Sequence, residues 1–288
     1  MAEKLTAHTA DTQAHQPISD DFFALFLDPS RTYSCAYFEH DGMTLEQAQM
    51  AKIDLALGQL GLAPGMTLLD ISCGWGAAMR RAIENYGVDV VGLTLSKSQA
   101  DHVEQLLDGT ATTHSRRVLQ AGWEQFDEPV DRIVSIGAFE YFGRDRYPAF
   151  FRMAYDVLPP DGVMVLHTIC GIDPRYSDLP PTLELARFMK FISSEIIPGG
   201  GLPSAAMVRQ HSAAAGFRVT RVQSLQPHYA RTVDRWAEAL EAHREEAIAT
   251  ASVEVYDRYM RYLTGCAAMF RRRQMDVNQF TLAKLPDR

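Results

Sequence analysis

The amino-acid sequence predicts an α/β fold: a doubly wound, mostly parallel sheet with helices on both faces. Short apolar, β-branched segments alternate with longer segments of helical periodicity through the middle of the chain. Strands that are buried on both faces have this continuous apolar character, and helices usually connect parallel strands. A glycine-containing loop follows the first such segment, as expected where a doubly wound sheet binds a ligand at the carboxyl ends of its strands.

Two helices are predicted before the sheet begins. Ser19-Asp20-Asp21 precedes an aromatic segment, 22–27, and predicts a short helix with a capped N-terminus. The sequence 44–47 (Thr-Leu-Glu-Gln) is a capping-box pattern that begins a helix predicted to reach residue 60.

Strands and helices alternate from Met66 onward. The predicted strands are 67–71, 88–93, 132–136, 163–168, 217–225 and 277–283, with helices that include 77–86, 98–107 and one long segment over 233–270. Residues 175–216 interrupt this alternation. We expect one domain over 1–288, composed of an N-terminal helical cover (1–65), a cofactor-binding core (66–170), an inserted lid (171–216) and a C-terminal part (217–288).

Composition limits the function classes. The 288 residues are 47% hydrophobic and 22% charged, with a net charge of −8, so the chain lacks the basic character of nucleic-acid-binding proteins. No segment approaches the roughly 20 apolar residues that span a bilayer. Four widely spaced cysteines, without a CxxC pair, predict a reduced cytoplasmic protein with neither a disulfide framework nor a metal site. The oligomeric state stays open.

One basic cluster has two interpretations. Arg271-Arg272-Arg273 follows an apolar helical segment. Cations are favourable at the C-terminus of a helix, so the cluster is interpreted first as a solvated helix end. The alternative is a docking patch for an acidic partner.

The loop after the first strand predicts a cofactor site. It spans Leu68 to Gly76, and its glycine spacing does not fit the GxGxxG pattern of dinucleotide-binding proteins. The second predicted strand ends in Thr94-Leu95-Ser96, where a nicotinamide-dependent enzyme would place an acid for the ribose. Both features disfavour a dinucleotide cofactor.

Motifs along nearly the whole chain resemble the mycolic acid cyclopropane synthases, a branch of the cyclopropane-fatty-acid synthases. The motifs are 32–39 (Thr-Tyr-Ser-Cys-Ala-Tyr-Phe-Glu), 73–76 (Cys-Gly-Trp-Gly), 92–96 with Gln99, 122–124 (Gly-Trp-Glu), 131–140, His167-Thr168, Glu195 with Pro198-Gly199-Gly200, 226–230 and 262–266. The resemblance implies the seven-stranded, Rossmann-like fold of class I S-adenosylmethionine-dependent methyltransferases, with N-terminal helices and an inserted helical lid.

The resemblance also implies which residues bind S-adenosylmethionine. In the family, residues matching Tyr33 and Ser34 close over the cofactor, the 68–76 loop holds its methionine part, the 94–99 turn its ribose, and Trp123 and Glu124 border its adenine. The implied cofactor-binding set is Tyr33, Ser34, Leu68, Asp70, Ser72, Cys73, Gly74, Trp75, Gly76, Thr94, Leu95, Ser96, Gln99, Trp123, Glu124, Ile136 and Gly137.

The implied reaction is methylene transfer to a double bond of a long unsaturated acyl chain, a mycolic acid precursor carried on an acyl carrier protein. Aromatic faces stabilise the carbocation that methyl transfer produces, and Tyr33, Tyr37 and Phe139 are candidates for this role. In the family a bound bicarbonate then removes a proton. The groups matching its ligands are the main chains of Cys35 and Ile136 and the side chains of Glu140, His167 and Tyr229.

Two further sets of residues carry expectations. Cys266 lies in a family motif, and we expect it to line the site, because methyl transfer from a sulfonium needs no covalent enzyme intermediate. A group of Phe and Met side chains is expected to line an acyl tunnel, although helical spacing is equally typical of ordinary core. The group is Phe188, Met189, Phe191, Met207, Met260, Met269 and Phe270.

The chain departs from the family pattern at four places. Ser72 replaces a glycine of the cofactor loop, and serine tolerates fewer backbone conformations. Gln16-Pro17 replaces an aromatic element, Tyr141 replaces a histidine beside Glu140, and residues 170–182 form a shorter segment. Gly137 is retained where relatives with other products carry an acid, which favours cyclopropanation. The alternatives are a methyl-branched or hydroxylated product, or a catalytically inactive cofactor-binding homologue.

Overall fold

The computed structural model describes residues 18–171, 182–197 and 201–284. Seven strands form one sheet in the order β3-β2-β1-β4-β5-β7-β6. Their bounds are Thr67–Ile71 (β1), Asp89–Thr94 (β2), Arg116–Gln120 (β3), Arg132–Ile136 (β4), Val163–Gly171 (β5), Phe217–Ser224 (β6) and Met275–Lys284 (β7). The strands β1 to β5 pair in parallel, and β7 is antiparallel to both β5 and β6. The predicted doubly wound, mostly parallel sheet is therefore confirmed.

Helices cover both faces of this sheet. Their bounds are Asp20–Ala24 (α1), Leu45–Leu57 (α2), Ala77–Tyr86 (α3), Lys97–Asp108 (α4), Tyr147–Val157 (α5), Leu183–Phe191 (α6), Ala205–Ala214 (α7), Gln226–Ala242 (α8), Arg244–Thr250 (α9) and Val253–Arg271 (α10). The capping box predicted at Thr44 is present, with Gln47 as its partner at the start of α2.

The edge strand β3 was not predicted from the sequence. Its residues include Arg116, Arg117 and Gln120, and most of them are partly or fully exposed. An edge strand with little buried surface lacks the continuous apolar pattern by which the other strands were recognised. What holds β3 in place is its parallel pairing with β2.

The prediction of one long helix over 233–270 is wrong, because the segment folds back on itself. The helix α8 ends at Ala242, α9 follows, and Ser252 caps α10 by accepting a hydrogen bond from the Val255 amide. The fold-back places Trp236 of α8 and Phe270 of α10 in a single buried cluster. A straight helix would leave such side chains exposed on one face or the other.

The helix α7 lies inside the segment 171–216 that was predicted to be a lid. It packs against β6 and α5, as a helix of the covering layer does. The helix α6 instead packs beside α10: a Cβ added to Gly265 would lie 2.3 Å from the Phe188 ring. Residues 172–181 and 198–200 lie outside the described residues, so the shortened segment 170–182 and the Pro198-Gly199-Gly200 motif are largely or wholly among them.

Two of the buried clusters adjoin the carboxyl ends of the strands and their flanking helices. One lies under the sheet around α5 and includes Phe139, Tyr147 and Phe150. The other surrounds α8 and α10 and contains Tyr229, Trp236 and Cys266. The second cluster lies next to the carboxyl ends of the central strands through Tyr33 and Cys35, which belong to it or pack against it.

Candidate functional site

The loop after β1 turns sharply through three residues with positive φ. Ser72 has φ 65°, Gly74 has φ 54° and Gly76 has φ 83°. The turn places the loop over the end of β2, where the Cys73 amide donates a 2.9 Å hydrogen bond to the Leu93 carbonyl. Glycine adopts this conformation freely, whereas a serine in it is strained by about 1–2 kcal/mol. Ser72 therefore keeps the conformation of a glycine loop at an energetic cost.

This loop forms one wall of a cavity of about 510 Å³ at the carboxyl ends of β1, β2 and β4. The structure brings most of the predicted cofactor residues to that cavity. Those that line it are Tyr33, Ser34, Asp70, Ser72, Cys73, Gly74, Trp75, Thr94, Leu95, Ser96, Gln99, Trp123, Glu124, Ile136 and Gly137.

Two residues of the predicted cofactor set do not line the cavity. Leu68 is completely buried in the core between the sheet and α3. Gly76 faces α4, and a Cβ at this position would lie 3.0 Å from the Val103 side chain. The glycine therefore allows close packing of α4 against the loop. For these two residues a structural role accounts for their place in the motif.

The wall after β2 is held by short-range hydrogen bonds. The Thr94 hydroxyl donates to Gln99 Oε1 over 2.7 Å, and the Ser96 hydroxyl accepts from the Gln99 amide over 3.3 Å at the N-terminus of α4. Leu95, between them, exposes 57% of its surface. The polar side chains fix the turn, and an apolar side chain is left at the edge of the cavity.

The wall after β3 contains an ion pair that no sequence motif predicts. Glu124 and Arg146 form an ion pair in which both side chains are almost buried. The Arg146 guanidinium also lies 5.4 Å from the centroid of the Trp123 ring. Trp123 packs against Phe142 and Phe150, so its indole is both part of the core and part of the cavity wall. Residues 122–124 and 146 meet only in the folded chain, and no motif marks Arg146.

The segment that contains Tyr33 and Ser34 is fastened to α2. Gln49 donates hydrogen bonds to the carbonyls of Thr32 (3.2 Å) and Ser34 (2.9 Å). Lys52, one turn later, donates a 2.7 Å hydrogen bond to the Ser34 hydroxyl and lines the cavity. On the cavity side, Gly137 comes so close that a Cβ there would lie 3.1 Å from Ser34 Cβ. The sequence interpretation missed Gln49 and Lys52, because a helix face of α2 carries no recognisable motif.

A second set of predicted residues reaches the cavity through Ile136, and its other members lie behind the cavity wall. Ile136 ends β4, His167 is its neighbour in β5, and Glu140 follows in a helical turn, Phe139–Tyr141. Glu140 accepts a hydrogen bond from the Ile169 amide through Oε1. Its other carboxyl oxygen and both ring nitrogens of His167 are buried and have no hydrogen-bond partner among the described residues. Buried polar atoms are normally satisfied, so these atoms identify a place suited to a polar ligand.

Burial shifts the protonation of both groups. It raises the pKa of Glu140 to about 7, although backbone N–H groups counteract part of this shift. It lowers the pKa of His167 to about 3, and the charge of Lys52 adds to this effect. Near neutral pH the imidazole is therefore uncharged, with one nitrogen that donates and one that accepts.

Cys35 and Tyr229 complete this set from the helical side. The Cys35 thiol lies 3.8 Å from the Leu225 carbonyl, just before α8, and the Ala36 amide donates to the Thr232 hydroxyl. The Tyr229 side chain is buried, and its pKa is raised well above the ordinary value by burial and by the neighbouring Cys266, Tyr33, Cys35 and Glu140. The structure thus brings Cys35 and Glu140, two members of the predicted group, close to Tyr229.

Cys266 faces the same region from α10. Burial raises the pKa of its thiol, and Tyr262 is its hydrogen-bonding neighbour. A buried thiol with a raised pKa is a poor nucleophile. All four cysteines are free and buried.

The prediction that Phe139 faces the site is wrong. Its ring stacks on Tyr147, with centroids 4.0 Å apart, in the cluster under the sheet. Trp236, which the sequence interpretation missed, is there instead: its ring lies 5.1 Å from Tyr33 and 6.0 Å from Tyr229. Tyr37 packs against His228. Tyr141 lines the cavity and exposes 48% of its surface.

Most of the predicted acyl-lining group lies in the α8–α10 cluster. Phe188, Phe191, Met269 and Phe270 belong to this cluster, and Met189 and Met260 pack against it. Met207 lies on α7 and packs instead against the cluster under the sheet. Its expected place in the acyl-lining group is therefore wrong.

Four other expectations concern features outside the cavity. Arg271 and Arg272 form exposed ion pairs with Asp234 and Glu184, consistent with a solvated helix end. In the described part of the chain, no helix is both long and apolar enough to cross a membrane. The same residues include no group of three metal-binding side chains. Gln16 and Pro17 lie outside the described residues.

Comparison with known proteins places this chain among well-defined relatives. The family model described as mycolic acid cyclopropane synthetase matches residues 3–280. Cyclopropane mycolic acid synthase 1 of Mycobacterium tuberculosis is 64% identical over 287 residues, 99% of this chain and 100% of the relative. Cyclopropane mycolic acid synthase MmaA2 of the same organism is 65% identical over the same shares.

Solved structures give the same result. The structure of the cyclopropane synthase MmaA2 superposes with a TM-score of 0.94 at 65% identity and covers 98% of this chain and 100% of that chain. The structure of mycolic acid cyclopropane synthase CmaA1 complexed with SAH and CTAB has a TM-score of 0.94 at 64% identity, with the same coverage. Coclaurine N-methyltransferase, 22% identical with a TM-score of 0.81, shares the fold.

Proposed function

Because the chain belongs to the mycolic acid cyclopropane synthetase family, we propose that it uses S-adenosylmethionine to convert a double bond of a long unsaturated acyl chain into a cyclopropane ring. One observation carries this proposal. A cavity at the carboxyl ends of the strands adjoins a buried group of unsatisfied polar atoms on Glu140 and His167. The first suits a cofactor, and the second suits the base that ring closure requires.

The cavity residues fit S-adenosylmethionine. One oxygen of Asp70 is buried at the cavity and has no hydrogen-bond partner among the described residues, as suits a cationic ligand group. Trp123 offers an aromatic edge, and Glu124 a carboxylate, at the other end. When bound, S-adenosylmethionine supplies an electrophilic methyl group on a sulfonium. The chain itself positions that group, and it excludes water from the reaction through the Tyr33–Ser34 segment held by α2.

Aromatic side chains support the chemistry beyond the cavity. A carbocation near Tyr33 would lie close to the rings of Trp236 and Tyr229. The Trp236 ring lies 5.1 Å from the Tyr33 ring and 6.0 Å from the Tyr229 ring. Aromatic faces stabilise a cation without reacting with it. We propose these three rings for the role, with Cys266 as a lining residue and without a covalent intermediate.

The unsatisfied atoms fit a bicarbonate ion. Bicarbonate has an O–H donor as well as acceptor oxygens, so it can donate to the free oxygen of Glu140 and accept from the neutral His167 ring. The Tyr229 hydroxyl and the main chains of Cys35 and Ile136 are the other proposed ligands. The residues hold the ion and orient it, and burial keeps His167 uncharged so that it does not serve as the acid.

The acyl chain is proposed to lie among the side chains of the α8–α10 cluster. Phe188 and Phe191 of α6 belong to this cluster together with Met269 and Phe270 of α10. We propose a mycolic acid precursor on an acyl carrier protein as the substrate. We also propose a cytoplasmic location, for which the four free thiols are the supporting feature.

Mass spectrometry of the product tests the proposal. The purified protein, given S-adenosylmethionine and an acyl carrier protein loaded with a long cis-unsaturated chain, should add the mass of one CH2 to that chain. Removal of CO2 from the buffer should slow the reaction, and added bicarbonate should restore it. Gain of the mass of CH2 plus water would indicate a hydroxylated product. Binding of S-adenosylhomocysteine without any turnover would indicate an inactive homologue and contradict the proposal.

A further inference from the structure

Lys52 is a buried lysine that none of the proposed roles uses. It lies on α2, exposes 1% of its surface and lines the cavity. Burial of an ammonium group is unfavourable unless the charge is compensated. Its one hydrogen bond goes to the Ser34 hydroxyl, over 2.7 Å, and no carboxylate of the described residues is close enough to form an ion pair with it. A structural lysine would normally have a carboxylate partner.

The direction of this hydrogen bond determines whether the Ser34 hydroxyl can donate to a ligand. A lysine ammonium only donates, so Ser34 Oγ must accept. The hydroxyl proton of Ser34 is then free to point elsewhere, and Ser34 lines the cavity. Contact with the ammonium polarises the hydroxyl and strengthens it as a donor toward an anionic group. Gln49 and Gly137 hold Ser34 from two other sides.

Asp70 provides the opposite charge at the same cavity. One of its two carboxylate oxygens is buried and has no hydrogen-bond partner in the described part of the chain. The cavity wall therefore contains a hydroxyl donor backed by a cation and, separately, the Asp70 carboxylate. This pair complements a ligand with both an ammonium and a carboxylate, such as the α-amino acid end of S-adenosylmethionine.

We infer that Lys52 is a positioning residue that acts through Ser34 to select the α-carboxylate of the cofactor, while Asp70 accepts from its α-ammonium. The inference rests on the proposed function for the identity of the cofactor. The pKa shifts of the two groups are in keeping with this inference. Burial lowers the pKa of Lys52 to about 8. It raises the pKa of Asp70 to about 7, although the charge of Lys52 counteracts part of this rise. A bound zwitterion would bring an opposite charge to each of these buried groups.

A pair of ligands tests the inference by calorimetry. The first is S-adenosylhomocysteine, and the second is its decarboxylated analogue, which keeps the amine but lacks the carboxylate. The wild-type protein should prefer the first. Lys52→Met should weaken binding of S-adenosylhomocysteine by about tenfold or more, the size expected for a hydrogen bond to a charged group. It should leave the affinity for the analogue within about twofold.

Gln49→Met is the matched control. Gln49 lies one turn before Lys52 and holds the same segment, but it carries no charge. We expect this variant to lower the affinity for both ligands by a similar factor. Ser34→Ala should reproduce the loss of selectivity seen in Lys52→Met, and the double variant should be no worse than either single one. Ser34→Ala also carries the test if Lys52→Met does not fold.

The outcomes separate the inference from the proposed function. If the wild-type protein binds neither ligand, the proposed function fails. If the wild-type protein binds both equally, or if Lys52→Met and Ser34→Ala each keep the wild-type preference, the inference is overturned and the proposed function stands. An equal loss for both ligands in Lys52→Met would reduce Lys52 to a structural role and would also overturn it.

Discussion

Ser72 turns the cofactor loop in a conformation that serine adopts at a cost. Its φ of 65° lies in the left-handed region, and Gly74 and Gly76, which follow it in the same loop, also have positive φ. A side chain in this region is strained by about 1–2 kcal/mol relative to glycine, and glycine loses about 0.5–1 kcal/mol more chain entropy on folding. The loop therefore keeps a strained residue beside the cavity.

Replacement of Ser72 tests this strain. Ser72→Gly should raise the free energy of unfolding by about 0.5–1 kcal/mol in the absence of cofactor, as measured by denaturant titration. Ser72→Ala keeps the Cβ atom and should give no such gain. Equal stability of all three proteins would show that the loop carries no strain at this position.

Packing between α6 and α10 depends on one glycine. Gly265 lies in α10 where a Cβ would be 2.3 Å from the Phe188 ring. Glycine in the middle of a helix normally destabilises it by about 1 kcal/mol relative to alanine. The close approach of α6 explains why glycine is tolerated there, and this approach brings Phe188 into the proposed acyl-lining group.

The sign of the change in the free energy of unfolding for Gly265→Ala therefore tests whether α6 packs closely at this position. On an exposed helix face the change would stabilise the protein, whereas here it should lower the free energy of unfolding by about 1–3 kcal/mol through overpacking. Thr264→Ala, at the neighbouring exposed position, should change it by less than about 0.5 kcal/mol. A gain in stability for Gly265→Ala, measured by thermal and denaturant unfolding, would contradict the packing described here.

Helices and strands with a clear hydrophobic periodicity could be predicted from the sequence. The central strands are continuous apolar segments, so β1 and β4 were placed with their observed bounds, as was α3. The edge strand β3 was missed, because pairing with β2 holds it in place more than burial does. The break between α8 and α10 was missed, because both helices carry apolar stripes that only the fold-back brings together.

The candidate site joins segments that are far apart in the chain. Family motifs located the loops at the strand ends, and these do line the cavity. Lys52, Arg146 and Trp236 were missed, because each lies on a helix or in a turn where residue spacing indicates only burial. Only the tertiary packing of the folded chain brings these residues to the candidate site. Phe139 shows the converse, since it lies in the 131–140 motif but packs under the sheet.

The stability of the whole molecule should depend on the ionisation of Glu140. Its pKa is about 7 in the folded protein and roughly 4.3 in an unfolded chain. The folded state therefore binds more protons between these values, and its stability falls as the pH rises through this range. Glu140→Gln removes this contribution but keeps an oxygen that can accept from the Ile169 amide.

Unfolding titrations at several pH values, in buffer free of CO2, test this dependence. The stability of Glu140→Gln relative to the wild type should rise by about 1 kcal/mol per pH unit from pH 5 to 7, and it should level off above pH 7. The exposed Glu128, whose pKa the Arg117 guanidinium lowers, gives a control: Glu128→Gln should show no such rise. A constant difference between Glu140→Gln and the wild type would show that Glu140 titrates as an exposed carboxyl does.

Transfer of an isotope from the cofactor to the acyl chain tests whether the protein adds a methylene group to an acyl double bond. The protein would be given S-adenosylmethionine labelled with carbon-13 in its methyl group, together with a cis-unsaturated acyl chain on an acyl carrier protein. If the protein forms a cyclopropane ring, carbon-13 appears in a CH2 group whose protons resonate in the upfield region of such a ring, and the alkene signals are lost. Label in a CH3 group, or no label in the acyl chain, would contradict ring formation.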